Sequence, residues 1–186
     1  IAYPEFEPNS KMHRFSSAFN NFFDNNLKYD RVETIDGKHE VFFQKHGADI
    51  KIDNLSTGES QIVFRGAYLL RNAGKLDGSI IFIDEPEISM HPLWQEKILS
   101  YYKGIFTKDG VQKAQLIVAT HSQGVIRDAI KDKENTKIIV LTSDANGKIG
   151  YSDNFAPAVL NYISEAEINY QAFNIYSPEY HDALYG

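Results

Sequence analysis

The 186-residue chain contains no cysteine, so neither a disulfide framework nor a thiolate metal site is open to it, and nothing in it asks for an oxidising compartment. It has no apolar run near the ~20 residues that a membrane-spanning helix needs, which excludes an integral helical membrane protein. The opening residues, IAYPEFEPNS, lack the basic and apolar segments of a secretory leader. These absences set the expectation of a cytoplasmic protein with no membrane partner. Basic residues are also in the minority: 19 against 25 acidic leave a net charge of −6. The net charge therefore does not suggest a polyanion-binding surface, although it leaves a local basic patch open. The chain begins at Ile1 rather than Met, which reads as an excised fragment or a processed product.

What is present fits a folded domain. Hydrophobic residues at 42% and charged residues at 24% are the proportions of a globular chain rather than a disordered one. A chain of this length buries roughly 70% of its unfolded surface, enough for one domain spanning 1–186. Phe15, Phe19, Phe22 and Phe23 recur at three- to four-residue spacing, which predicts an amphipathic helix within 10–28, capped by Asn9 or Ser10. RVETIDGKHEVFFQ (31–44) predicts a hairpin turning at Asp36-Gly37, and a short strand follows at 48–52. Residues 58–72 read as a helix entered through Ser56-Thr57-Gly58.

After a turn at Asp77-Gly78, the unbroken β-branched run SIIFID (79–84) suits a strand buried on both faces. A helix is expected from Pro92 to 106, with Pro at its tolerated first turn. AQLIVAT (114–120) reads as a second buried strand, 122–131 as a helix and KIIVLTS (137–143) as a third strand, with Asn146-Gly147 turning the chain towards KIGYS. From Phe155 the pattern is helical to about Tyr170, and the chain ends in an irregular aromatic tail. Strand–helix–strand–helix–strand implies an α/β fold with a mostly parallel sheet and flanking helices, preceded by a helix and a β-hairpin.

Three short segments carry chemistry. SIIFIDEPEISMHP (79–92) places Asp84 and Glu85 at the C-terminal end of a strand, where open α/β sheets bind ligands. Successive side chains on a strand diverge, so one carboxylate can hold a magnesium ion while the other orients or deprotonates a water. A strand end carrying solvated acids is the alternative. QLIVATHS (115–122) puts His121 just past a second strand; were the two strands neighbours, ~4.8 Å apart, His121 and Glu85 would reach a common ligand. Taken alone, such a histidine is more often a surface residue than a catalytic one. NLSTGES (54–60) offers a hydroxyl and backbone N–H groups at a helix start, where the dipole favours an anion. An ordinary N-cap, with Ser56 or Thr57 capping and Glu59 in the first turn, explains the same residues.

Order and spacing join the three. LSTGE, a helix, φφφφDEP, a helix and φφφTHS together resemble the C-terminal half of an ABC-type ATPase over about residues 50–142. LSTGES is similar to the signature motif, IIFIDEP to Walker B with its catalytic glutamate, and His121 to the switch histidine. Glu59 stands where transporters usually have Gln, and EPEISMHP replaces the transporter form EPTxxLD. The chain thus resembles the soluble branch, which holds SMC-, RecF- and OLD-like ATPases and AAA-type ABC ATPases of phage defence and toxin systems.

The resemblance implies a P-loop NTPase-like fold that binds and hydrolyses ATP with Mg2+. Asp84 would hold the metal through its water shell, Glu85 would polarise the attacking water and His121 would contact the γ-phosphate. Ser56, Gly58 and Glu59 would serve a nucleotide bound mainly by a second subunit. ATP-driven homodimerisation coupled to an effector follows, with nucleic acid a partner open to the full-length protein.

The departure from the family is equally definite. No GxxxxGK[ST] occurs; GKLDGS (74–79) and GKIG (147–150) lack the spacing. The resemblance thus implies that the Walker A half of the domain lies outside this chain, and that the chain alone is inactive. In the family a Walker A strand separates 115–119 from 137–142. Without it the two runs are expected to pair directly or to recruit a strand from another copy, with self-association as the consequence; 1–8, with Pro4 and Pro8, is a poor substitute. A non-catalytic interaction module keeping the half-fold is the rival reading; a transporter nucleotide-binding subunit is disfavoured by EPEISMHP. Met90, Trp94 and Tyr101-Tyr102 read as helix-face packing, and Glu179, His181 and Asp182 as solvated polar groups rather than a metal or nuclease site.

Overall fold

The phenylalanine spacing near the start of the chain builds helix α1 (Lys11–Phe22), whose N-cap Ser10 accepts from the His13 N–H at 3.1 Å. Its buried face is Phe15, Ala18, Phe19 and Phe22, an i, i+3, i+4, i+7 stripe. This helix belongs to a computed structural model that describes residues 6–72, 78–157 and 162–185. They fall into two compact units divided after Thr120.

In the first unit, strands β1 (Leu27–Ile35), β2 (Lys38–Lys45) and β3 (Ala48–Lys51) form one antiparallel sheet in sequential order. The expected turn is there: Asp36 and Gly37 both adopt positive φ, and Ile35 pairs with Lys38. His46-Gly47 repeats the device between β2 and β3. Phe19 meets Phe43 of β2 at a ring-centroid distance of 5.4 Å, which seats α1 on this sheet. A 3-10 turn (Ile52–Asn54) leads into α2 (Thr57–Asn72).

Strand β4 (Ile80–Asp84) pairs with β7 (Gln115–Ala119) in parallel, from Ile80 opposite Gln115 to Asp84 opposite Ala119. Between them lie α3 (Pro92–Gln95), α4 (Ile98–Phe106) and a small hairpin of β5 (Thr107–Lys108) and β6 (Val111–Gln112). The single helix expected over 92–106 is thus two, broken at Glu96-Lys97. The break lets Trp94 lie against Phe22 and Phe23 while α4 buries Ile98, Tyr101, Tyr102, Ile105 and Phe106.

The parallel sheet is smaller than the sequence suggests: among the described residues it has two strands. The expected third strand appears as β8 (Val140–Ser143), but it pairs antiparallel with β9 (Ile149–Ser152), Ser143 opposite Ile149. A local hairpin closes a short loop, whereas a third parallel strand needs a long crossover. Among the described residues 115–119 and 137–142 do not pair directly, although direct pairing is one of the two outcomes expected for them. Nor are β4 and β7 buried on both faces. Phe82 is 75% exposed, and Ile80 and Ile117 on the same face are exposed too, while Ile81, Ile83, Leu116 and Val118 on the other face are half-buried.

The second unit begins at His121 and contains α5 (Gln123–Ile130), the β8–β9 hairpin, α6 (Glu165–Phe173) and α7 (Pro178–Tyr185). Its core gathers Ile126, Ile163 and Ile168, with Phe155 and Phe173 packed around them. The helix expected from Phe155 starts at Glu165, where Ser164 accepts from the Glu167 N–H at 3.2 Å; residues 158–161 of that expected helix lie outside the described residues, as do 1–5 and 73–77 with Pro4, most of GKLDGS and Asp77. The tail is helical rather than irregular, because Ser177 caps α7 and Pro178 sits at its first turn. Among the described residues, no helix is long and apolar enough to cross a membrane.

The close contact of α2 with α4 depends on Gly66. A Cβ there would lie 1.9 Å from the Tyr101 hydroxyl and 2.7 Å from Phe15. That hydroxyl donates to the Ile62 carbonyl at 3.0 Å. Gly66→Ala would gain up to about 1 kcal/mol of helix propensity but would lose more through overpacking and the displaced hydrogen bond, together about 2–4 kcal/mol. Urea denaturation should therefore show a net loss of stability; a variant as stable as the parent would refute this packing.

Candidate functional site

The start of α2 is a capping box. The Ser56 N–H donates to Glu59 Oε2 at 2.8 Å, and the Glu59 N–H donates to Ser56 Oγ at 3.4 Å. Glu59 is only 6% exposed, and its other carboxylate oxygen pairs with Lys45 Nζ of β2 at 2.8 Å. Burial pushes the Glu59 pKa up, but the Lys45 ammonium and the Ser56 N–H and hydroxyl outweigh it, so the net shift is downward. The ordinary capping reading of NLSTGES is thus present in the structure. It fixes Ser56 at the helix start, with Oγ accepting from the Glu59 N–H.

Gly58 is required by a neighbour. A Cβ there would stand 2.8 Å from the Trp94 ring and 3.4 Å from the Ser89 carbonyl. The first turn of α2 therefore abuts the segment that follows β4. A second link runs between the same elements, for the Arg65 guanidinium donates to the Pro86 carbonyl.

Asp84 and Glu85 lie where the apolar run predicts, at the carboxyl end of β4. Asp84 is exposed. The Glu85 N–H donates to the Ala119 carbonyl at 2.9 Å, one step beyond the ladder, and Glu85 then turns out of the sheet at φ +42°. Parallel register brings the ends of β4 and β7 to the same edge, so Asp84-Glu85 and Ala119-Thr120 are neighbours. Thr120 Oγ1 donates to Glu87 Oε1 at 2.6 Å across that edge. His121 follows Thr120 in the chain and is exposed; it opens the second unit, where Ser122 caps α5 by accepting from the Val125 N–H at 3.3 Å.

Among the described residues, no three His, Asp or Glu side chains gather as a protein-built metal cage would require. Magnesium does not need one. It is commonly held by one or two carboxylates, with waters and substrate phosphates completing an oxygen shell. The exposed Asp84 carboxylate fits that donor chemistry. In the tail, His181 and Asp182 stand 3.7 Å apart and exposed on α7.

Sequence reasoning did not find Lys45, Arg65, Glu87 or Thr120 as parts of this arrangement. The S-x-x-E spacing signals the cap, but no local pattern signals a lysine from another strand or an arginine two turns along the helix.

Comparison with known proteins bears on this geometry. A family model described as "AAA domain, putative AbiEii toxin, Type IV TA system" matches residues 7–127. A relative named "Retron Vc95 probable ATPase", from Vibrio cholerae serotype O1 biovar El Tor, is 31% identical over 104 residues, which are 51% of this chain and 19% of the relative. The chain thus matches about a fifth of that protein's length. Among solved structures, an SMC ATPase studied for ATP-driven dimerisation and DNA-stimulated activation aligns with TM-score 0.54 and 15% identity, covering 77% of this chain and 82% of that one. The Smc head domain of Pyrococcus furiosus, bound to the C-terminal domain of ScpA, aligns with TM-score 0.52 and 13% identity over 77% and 35% of the two chains. At these identities the structural likeness concerns the fold, which is that of P-loop NTPase-like SMC heads.

The Lys45–Glu59 pair makes a pH-dependent prediction. A carboxylate whose folded pKa is lowered adds stability above its unfolded value of 4.5, and loses it as pH falls through the folded value. Lys45→Met should therefore cost about 1 kcal/mol at pH 7, the size set by a partly solvated pair. The gap between variant and parent should close as the pH is lowered below 4.5. Chemical denaturation at a series of pH values checks this; a pH-independent gap would mean that the pair contributes only packing.

Proposed function

The chain belongs to the family of AAA domains just described, and on that premise we propose that it is the signature-motif and Walker B portion of an ABC-class ATPase. The observation that carries this reading is the parallel register of β4 and β7, which sets Asp84-Glu85 beside Ala119-Thr120 at one sheet edge. Ligands of open α/β sheets bind outside the carboxyl ends of the strands, and this is such an end. The abutting first turn of α2 adds a second group of donors.

The reaction is the attack of water on the γ-phosphorus of ATP, with ADP leaving. Phosphoryl transfer of this kind is catalysed by positioning and charge stabilisation. Glu85 accepts a hydrogen bond from the attacking water and takes its proton as the new P–O bond forms. Asp84 would hold the magnesium ion, which when bound would supply charge neutralisation to the phosphates. His121 donates to a γ-phosphate oxygen. Ser56 Oγ–H and the Gly58 N–H donate to the γ-phosphate of a nucleotide carried by a second copy, aided by the positive end of a 16-residue helix. Glu59 serves this contact through Ser56, since its own carboxylate is committed to the cap and Lys45. A carboxylate turned towards a phosphate would be repelled, so this inward orientation suits the role.

The phosphate loop is supplied by sequence other than these 186 residues, which contain no GxxxxGK[ST]. ATP thus joins two copies, and hydrolysis releases them to act on an effector in a defence or DNA-related system.

In the full-length protein, Glu85→Gln should abolish turnover while ATP still binds, and should trap the dimer, because the amide keeps the shape but cannot take the proton. Wild-type turnover in that variant would remove Glu85 from the mechanism, whereas absence of turnover in the parent would favour a non-catalytic module. Ser56→Arg should instead block ATP-dependent dimerisation in light scattering. Separately, calorimetry on the isolated chain should show no Mg-ATP binding at micromolar nucleotide, and saturation there would mean that it carries its own phosphate cradle.

A further inference from the structure

The segment between β4 and α3, residues 85–91, is held in a conformation that its sequence alone does not favour. Glu85 has φ +42° and Ser89 φ +64°, both in the left-handed region that side chains with a Cβ rarely adopt. Such backbone persists where the surroundings over-determine it. Three bonds do so here: Glu85 N–H to the Ala119 carbonyl, Arg65 to the Pro86 carbonyl and Thr120 Oγ1–H to Glu87 Oε1. Inside the segment, the Ile88 N–H donates to the Glu85 carbonyl at 3.3 Å and the Met90 N–H to the Glu87 carbonyl at 3.0 Å. Glu87 therefore sits at the centre of two consecutive turns. Anchoring its side chain anchors the whole bend.

We propose that Glu87 is a positioning residue for Glu85. Its carboxylate, bonded at 2.6 Å to the hydroxyl at the end of β7, fixes the direction in which Glu85 leaves the sheet. A short O–H···O⁻ bond is among the stronger side-chain bonds, and this one ties together the ends of the two paired strands. The proposal rests on the ATPase reading, in which Glu85 orients the attacking water. Glu87 does not touch that water; it acts through the backbone two residues before it. A displacement of about 1 Å at a water-orienting group costs about 100-fold in rate, which is the scale on which a loosened tether would be read.

The test compares Thr120→Val, Glu87→Ala and Glu87→Gln in the full-length protein, by steady-state ATP hydrolysis and by hydrogen exchange without nucleotide. Thr120→Val keeps the shape and removes the donor. It and Glu87→Ala should lower kcat about 10- to 100-fold with the KM for ATP unchanged. Glu87→Gln should retain most of the parent kcat, because its amide oxygen still accepts from Thr120. A merely structural role would instead raise KM and lower thermal stability in step with kcat, without rescue by Gln. Parental kcat in Thr120→Val would overturn the proposal. If the parent protein hydrolyses no ATP, the ATPase reading fails, and exchange at the Glu85, Ile88 and Met90 amides decides the tether. Faster exchange in Thr120→Val supports it, and unchanged exchange refutes it.

Discussion

The parallel pairing of β4 with β7 sets where Asp84, Glu85 and Thr120 stand, because a parallel ladder aligns strand ends as well as strand faces. With Ile80 opposite Gln115, the fifth pair is Asp84 and Ala119, and both chains leave the sheet at the same level. A slip of one residue would exchange the exposed Ile80 and Phe82 for Ile81 and Ile83, and would separate Glu85 from the Ala119 carbonyl. The positive φ of Glu85 is the local cost of leaving the sheet there.

The position of α2 is fixed by packing rather than by helix propensity. Two glycines allow α2 to lie close against its neighbours, Gly58 beside Trp94 and Gly66 beneath Tyr101. Trp94 is in turn held by Phe22 and Phe23 of the first helical segment and its cap. The aromatic cluster that begins with Phe15 thus reaches the first turn of α2 through one side chain. Lys45 of β2 closes the same turn electrostatically.

Much of this was legible in the sequence, where local chemistry sufficed. The helix over the phenylalanine stripe, the Asp36-Gly37 hairpin, the strand ending in Asp84 and the Asn146-Gly147 turn each follow from period or turn type. Local signals of the same kind stand at Asp109-Gly110, which turns the β5–β6 hairpin, and at Ser177-Pro178, which starts the last helix. What could not be read was non-local. An apolar run such as SIIFID states that a strand suits burial, but not whether the chain contains what would bury it; here Phe82 remains exposed. The pairing of 140–143 with 149–152, and the partners Lys45, Arg65 and Thr120, are set by tertiary arrangement and leave no local trace.

A structure of the full-length protein with magnesium and a non-hydrolysable ATP analogue would show whether ATP binds at the β4–β7 edge. The expected nucleotide has a magnesium ion next to Asp84 and a γ-phosphate next to Glu85 and His121, and it is closed from the other side by Ser56 and Gly58 of a second copy. A nucleotide bound away from the β4–β7 edge, or a dimer with the first turn of α2 facing solvent, would contradict the proposed function.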